Sequence, residues 1–343
     1  SEYRFAHRDG HYVWLRDEAR LAGGGGEVEV FGVLTDITHH KMVEQSLENQ
    51  RKVLEMVASG ASLSSTLDTL ARGLEALLPD MLASILLLDA DGVHLRHGAA
   101  PTLPEPYVRV VDGIAIGQGV GSCGTAAATG RAVIVDDITR HPLWAPYVTL
   151  AAPHGLRACW SLPFKNERGE VLGTFGVYYE EPTQPCASDI RLVADFTRLI
   201  VLAIEQSRRE DDREDSEQRF RATFEQAASG LALVSTQGRF LRVNRHICEL
   251  LGYQEAELLQ MTFQDVTHPD DIDNDLQQAR RLRDGEITGY SLDKRYRRKD
   301  GSLLWGRLDV ALHRSAKGDP QFYICSVQDI GWRKRQEREL QLA

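Results

Sequence analysis

Cysteine is sparse and irregular, with 5 residues in 343 and no CxxC pair. Such spacing fits neither a disulfide framework nor a zinc site, so no metal is expected, and it points to a reducing compartment, the cytoplasm. Long apolar runs are missing too. The longest, Leu199 to Ile204, falls far short of the roughly 18 residues that cross a membrane, so no direct membrane insertion is expected. A basic excess is absent: 40 Lys and Arg against 50 Asp and Glu leave a net charge of −10, which argues against nucleic-acid binding. The first residues, Ser1 to Phe5, alternate like a strand and lack signal-peptide regions. What remains is a chain with 42% hydrophobic and 26% charged residues, long enough for two or three domains with their own cores.

An internal repeat is legible at a separation of about 290 residues. Arg8-Asp9-Gly10 matches Lys299-Asp300-Gly301, and Trp14 matches Trp305. In both copies a polar turn, Gly23 to Gly26 or Lys317 to Pro320, separates strand-like runs. Each copy closes on Asp-Ile, at Asp36-Ile37 and Asp329-Ile330, before a charged helix. Asp-Gly between alternating runs is a hairpin signal, because glycine accepts the positive φ of a tight turn.

This plan resembles the C-terminal half of a PAS domain, whose last strand ends in an Asp-Ile-Thr step leading into a helix. Asp36-Ile37-Thr38 matches it fully, whereas Gly331 stands where the second copy should carry threonine. Upstream of the second copy the remaining PAS plan follows from Phe220 through Gly230-Leu231-Ala232-Leu233, Val243-Asn244-Arg245, Leu251-Gly252-Tyr253 and His268-Pro269-Asp270-Asp271. Residues 1–37 then read as a partial PAS domain and 220–331 as a complete one.

Between them, Val43, Leu47, Leu54 and Val57 fit a heptad on a helical connector, residues 38–57. Ser62 or Ser64 can cap a helix carrying Leu63, Leu67, Leu70, Leu74 and Leu77, with Pro79 just beyond its end. Strands are expected at Ala83 to Leu88, Ala132 to Val135, Arg157 to Pro163 and Val171 to Tyr179. The segments Gly121-Ser122-Cys123-Gly124-Thr125-Ala126-Ala127, Gly155 to Ser161 and Gly173 to Tyr179 resemble the GAF domains of bacterial diguanylate cyclases, cyclic-di-GMP phosphodiesterases and hybrid histidine kinases. Residues 58–206 are the expected GAF domain.

Ala187 to Phe224 reads as one long helix. Leu192, Phe196, Leu199 and Ala203 step by heptad spacing, and Phe220 and Phe224 return in the same phase. Gln206, Glu210, Arg213 and Glu217 leave the middle without apolar knobs, so a coiled coil here is weak enough to switch pairing. A homodimeric signalling helix and a solvated spacer both fit. Residues 207–219 are the expected connector, and 332–343 the start of an output helix.

Cys123 stands at a predicted helix start, where the helix dipole favours a thiolate. Redox or NO sensing, an inert core thiol, and a thiol enzyme similar to free methionine-(R)-sulfoxide reductase all fit it. That family's further cysteine has no counterpart between Leu143 and His154. By resemblance, Cys123, Thr125, His141, Trp144, Tyr147, Arg157 and Trp160 mark a GAF ligand pocket, and Asn244, Tyr253 and Trp305 a PAS pocket. Trp144 and Trp160 also suit a plain aromatic core, and Arg157 a plain ion pair. The P-loop lysine is missing after Gly119 and Gly124, which argues against nucleotide hydrolysis there. Bilin and cyclic-nucleotide signatures are incomplete, and His246 and Cys248 lack the contexts of haem-binding and flavin-binding PAS domains. The cofactor and the small-molecule ligand are therefore unassigned.

The expected class is α+β, antiparallel-sheet PAS and GAF domains joined by long helices. The implied function is a sensory region relaying a ligand, redox or gas signal to a C-terminal effector, cyclic-di-GMP synthesis or hydrolysis first and a histidine kinase second. Asp36, Thr38, Leu199, Ala203, Phe220, Phe224 and Asp329 are the expected relay residues.

Overall fold

The computed structural model describes residues 1–6, 12–22, 29–78 and 80–342. The turns expected at Arg8-Asp9-Gly10 and Gly23 to Gly26, and Pro79, lie outside the described residues. The chain divides into two compact units, Ser1–Asp211 and Asp212–Ala343, and the class is the expected α+β.

The first unit opens with a three-stranded antiparallel sheet, β1 (Glu2–Ala6), β2 (Tyr12–Ala22) and β3 (Glu29–Asp36), in the order β1-β2-β3. Helix α1 (Thr38–Ala58) follows directly. Ser62 caps α2 (Leu63–Leu77), its side chain accepting from the Ser65 N–H, a contact whose loss typically costs about 1 kcal/mol. Of the five leucines spaced along α2, Leu67, Leu70, Leu74 and Leu77 are buried and Leu63 is half-buried.

A six-stranded antiparallel sheet then forms in the order β6-β5-β4-β9-β8-β7. It comprises β4 (Leu82–Leu88), β5 (His94–Ala99), β6 (Ile114–Ala115), β7 (Val133–Val135), β8 (Ala158–Lys165) and β9 (Val171–Tyr179). Helices α3 (Glu105–Val111), α4 (Gly121–Thr129) and α5 (Val148–Ala151) are inserted between strands. Strands β5 and β6 escape sequence reading because His94-Leu95-Arg96-His97-Gly98-Ala99 buries only Leu95 and Ala99.

Strands β8 and β9 are buried on both faces, and alternation divides their side chains between two cores. Trp160, Leu162 and Phe164 of β8, with Phe175 and Val177 of β9, join α2 and the start of α6 (Ala187–Gln226) in one cluster. Cys159 and Tyr178 turn the other way and pack with Tyr107, Trp144 and Leu156. From α6 the sheet takes Val193, Phe196, Ile200 and Ile204, each such burial being worth about 1.5–3 kcal/mol.

Those contacts correct the seam expected along α6. Phe196 and Ala203 are buried within the first unit, and Phe224 is buried in the second, against Arg242. Three of the expected seam residues are therefore spent inside their own domains. Leu192 and Leu199 stay half-buried, and Leu202 and Phe220 are exposed, so the apolar strip left open on α6 is narrower than the heptad pattern implies.

The second unit holds β10 (Gly230–Ser235), β11 (Phe240–Val243), α7 (Arg245–Leu251), α8 (Glu255–Leu258), α9 (Pro269–Arg283), β12 (Gly289–Arg297), β13 (Leu303–Arg314), β14 (Pro320–Asp329) and α10 (Gly331–Leu342). Its five-stranded antiparallel sheet runs β11-β10-β14-β13-β12. The hairpin read at Lys299-Asp300-Gly301 joins β12 to β13, with Gly301 at φ 84°. The helices cover one face, where Leu304, Leu308 and Val310 meet Ile247, Leu251 and Val266.

Gly173 of β9 leaves no room for a side chain, since a Cβ there meets the Leu86 carbonyl oxygen of β4 and the Phe164 ring of β8. Backbone cannot yield as a flexible side chain does. Gly173→Ala is expected to destabilise the first unit by about 3 kcal/mol, read from the urea midpoint of the melt that reports residues 1–211.

Candidate functional site

Helix α4 sits over the sheet on the face opposite α6, and a cavity of about 210 Å³ opens beside it. Tyr107, Ile114, Cys123, Trp144, Tyr147 and Tyr178 are among its walls. Ser122 sets the geometry: its hydroxyl accepts from the Trp144 indole at 2.9 Å and donates to the Cys159 carbonyl at 3.4 Å. Tyr107 meets Tyr178 edge to face, with hydroxyl oxygens 3.3 Å apart. Burial pushes both tyrosines well above their ordinary pKa, so they remain hydrogen-bond donors.

Of the seven residues expected in this pocket, Cys123, Trp144 and Tyr147 line it. The other four do not. Thr125 accepts from the Gly119 N–H and donates to the Gly117 carbonyl, tying down the glycine loop. The His141 ring nitrogen caps the short turn at Pro142–Trp144. Arg157 reaches Asp137 at 3.4 Å. Trp160 lies on the α6 side of the sheet, its indole donating to the Thr183 carbonyl. Sequence reading missed Tyr107 and Tyr178, though alternation from Trp160 to Cys159 and from Val177 to Tyr178 was the available signal.

Cys123 is buried and its thiol is held down to about 7. The Cys159 thiol does most of this against the cost of burial, followed by the hydroxyls of Ser161, Tyr178 and Thr174. Cys159 is pushed the opposite way, well above the ordinary thiol value, by burial and by its neighbour Cys123.

In the second unit none of the three expected pocket residues lines the apolar cavity between helices and sheet, which measures about 40 Å³. Asn244 is fully buried and fully used: its carbonyl oxygen accepts from the Leu231 and Ile247 N–H groups, and its amide donates to the Phe224 and Ser229 carbonyls. Tyr253 and Asn244 together border a shallow groove with Cys248 and Glu255. Trp305 points out of the sheet, because β13 alternates and its neighbours Leu304 and Gly306 take the buried face. The walls of the 40 Å³ cavity include an ion pair. Lys294 donates to Asp275 at 2.5 Å and to the Thr267 hydroxyl at 2.9 Å, and Tyr290 donates to Asp275 at 2.8 Å.

The repeat has a structural counterpart at the start of each exit helix. The Ile37 N–H donates to the Trp14 carbonyl and the Ile330 N–H to the Trp305 carbonyl, at 2.8 and 2.9 Å. Asp36 accepts from the Thr38 N–H and Asp329 from the Gly331 N–H. The Thr38 hydroxyl also accepts from the Trp14 N–H at 2.8 Å, a contact that Gly331 cannot supply. Both copies share a further tie that sequence reading missed. Lys41 lies over the Trp14 ring and pairs with Glu2, and Lys334 lies over the Trp305 ring and pairs with Asp293. Arg333 adds a second bond to Asp293 at 2.7 Å.

These ties are stable around neutrality. Pairing with Glu2 raises the Lys41 pKa and pairing with Asp293 raises that of Lys334, so their contribution is complete below the ordinary lysine value of about 10.4 and fades above it. Glu2 is lowered by Lys41; burial opposes ionisation of Asp293, but Lys334 and Arg333 outweigh it. The acidic contribution is thus complete above about pH 4 and fades as pH falls.

Family profiles agree with the two sheets. Residues 60–205 match the GAF domain and residues 240–327 the PAS fold. The chain carries a GAF domain and a PAS domain. It is 33% identical over 269 residues to the methyl sulfide methyltransferase-associated sensor of Methanosarcina acetivorans, covering 78% of this chain and 27% of that protein. The probable diguanylate cyclase DgcE of Escherichia coli is 39% identical over 149 residues, 43% of this chain and 13% of DgcE. The sensor histidine kinase TmoS of Ectopseudomonas mendocina is 30% identical over 125 residues, 36% and 13% respectively. The chain thus spans between 13% and 27% of these relatives' lengths. It is a PAS–GAF sensory region similar to parts of cyclase and kinase signalling proteins. Among the described residues no helix is long and apolar enough to cross a membrane.

The Lys294–Asp275 pair in the PAS core is testable by its asymmetry. Lys294→Met alone should destabilise the second unit by about 3–5 kcal/mol, because it strands a buried carboxylate. Adding Asp275→Leu should recover most of that loss, as read by chemical denaturation of both variants.

Proposed function

We propose that the chain is a dimeric sensory input region in which a small, mostly apolar molecule occupies the GAF cavity and alters how α6 pairs with a second copy. The observation that carries this reading is the double role of β8 and β9: Cys159 and Tyr178 face the cavity side, while Trp160 and Val177 hold α6. A ligand that shifts the first set meets the second across a single layer of backbone, and close-packed cores transmit such shifts. Occupancy biases the helix only to the extent that the ligand binds its two arrangements unequally.

Residues 1–37 act in this proposal as the closing half of a PAS domain, supported by the Trp14–Lys41 tie that repeats at Trp305–Lys334. Those ties transmit a sheet movement to the helix that leaves it. The effector is a C-terminal domain of the parent protein, cyclic-di-GMP synthesis being favoured by similarity to DgcE and a histidine kinase by similarity to TmoS. The cytoplasm is the proposed location, and the open strip of Leu192, Leu199, Leu202 and Phe220 is the proposed contact between copies.

Helical phase tests the relay in the effector-bearing protein. Deleting Arg208 to Glu214 returns Phe220 to its original face, whereas deleting Arg208 to Asp211 turns it by about 40° at about 100° per residue. The first deletion is expected to keep cyclic-di-GMP or kinase output responsive to input, and the second to lock it. Equal regulation in both would reduce α6 to a tether.

A further inference from the structure

Cys123 and Cys159 are set on the same side of the sheet: Ser122, next to Cys123 on α4, donates to the Cys159 carbonyl, and Tyr178, whose hydroxyl neighbours the Cys123 sulfur, pairs with Cys159 across the strands. Gly176 leaves room for the Cys123 sulfur, since a Cβ there would stand 3.2 Å from it. The strand register brings matching groups to the same spot: Cys159 lies opposite Tyr178 and Ser161 opposite Gly176, and alternate residues of a strand share a face. The Tyr178 hydroxyl is 3.8 Å from the Cys123 sulfur. The hydroxyls of Ser161 and Thr174, on the same strand face as Gly176, are buried and have no hydrogen-bond partner. Orphan hydroxyls are costly to bury. Two of them beside one sulfur are accounted for if that sulfur carries negative charge and accepts from them.

The thiols are unequal in the way a two-step oxidation requires. Cys123 borders the cavity and is the more acidic, so it supplies the thiolate; Cys159 lies behind it, wholly buried and held as a thiol. The walls ahead of Cys123, Val110, Ile114 and Leu150 among them, favour an alkyl group over water.

We propose that Cys123 and Cys159 are a redox pair that a small alkyl hydroperoxide entering the GAF cavity converts to a disulfide. The Cys123 thiolate attacks the outer peroxide oxygen; an S–O bond forms, the O–O bond breaks, and the electron pair leaves with the alkoxide, which takes a proton from solvent to become the alcohol. Sulfur is oxidised by two electrons to the sulfenic acid and the peroxide is reduced. Cys159 then attacks that sulfur, the S–O bond breaks, and the displaced hydroxide combines with the Cys159 proton as water. A thiol reductant restores the pair. The chemistry is independent of the relay, because it is read at the sulfur atoms and not at an effector.

The test treats the reduced full chain with one equivalent of tert-butyl hydroperoxide or of hydrogen peroxide at pH 7 and maps cysteines by mass spectrometry without reduction. The expected product is a peptide cross-linked through Cys123 and Cys159, lighter by two hydrogens and released by dithiothreitol, formed faster with the alkyl peroxide. Cys159→Ser should stop at a Cys123 sulfenic acid trapped by dimedone. Tyr178→Phe should slow the reaction at pH 7 and regain speed as pH rises, a recovery that a merely structural role does not give. Oxidation of the exposed Cys186 with Cys123 left as thiol in the wild-type chain would overturn the pair, and faster reaction with hydrogen peroxide would overturn the substrate class.

Discussion

Two strands buried on both faces organise the first unit. Because successive side chains of β8 and β9 point to opposite sides, each places one residue against α6 and the next toward the cavity. Trp160 and Cys159, or Val177 and Tyr178, are separated only by the backbone between them. Nothing on either side can move far without being felt on the other, since the interior is packed as closely as a molecular crystal. The wall on the cavity side and the attachment of the outgoing helix are thus built from alternating residues of the same two strands.

The second recurring device is the tie at each helix exit. An acidic residue on the first strand of the hairpin, a tryptophan on the second and a lysine in the first turn of the helix form one cluster in both copies, at Glu2, Trp14 and Lys41 and at Asp293, Trp305 and Lys334. Where Gly331 removes the hydroxyl contact that Thr38 makes, the Arg333–Asp293 bond supplies a different one. Each of these partly exposed ion pairs is individually weak, but a cluster that positions the first helical turn fixes the direction in which the helix leaves its sheet.

Much of this was legible in the residues. The long helix, the capped α2 and strands β4, β8 and β9 followed from periodicity and turn chemistry, and the repeat of Trp14 in Trp305 proved to be a repeat of geometry. Pocket membership was harder to read. Thr125, His141, Arg157 and Trp160 lie close to the cavity in sequence, yet hydrogen bonding or strand alternation turns each away from it. Asn244 reads as a polar pocket residue from its place in the PAS plan, whereas three of the four bonds that exhaust it are tertiary and only the bond from the Ile247 N–H is local. The Lys294–Asp275 pair joins residues on β12 and α9 whose sequence context marks neither as buried. A heptad pattern likewise reports which positions of α6 are apolar and not whether its own domain or a second copy covers them.

Hydrogen exchange of α6 tests the coupling between cavity and helix most directly. Val111 borders the cavity without touching α6 in sequence or cluster, and Val111→Phe fills part of that space. Mass spectrometry of the peptide covering residues 190–204 should then show slower amide exchange than in the wild-type chain at equal global stability. Slower exchange confined to α3, α4 and α5, with residues 190–204 unchanged, would contradict the account.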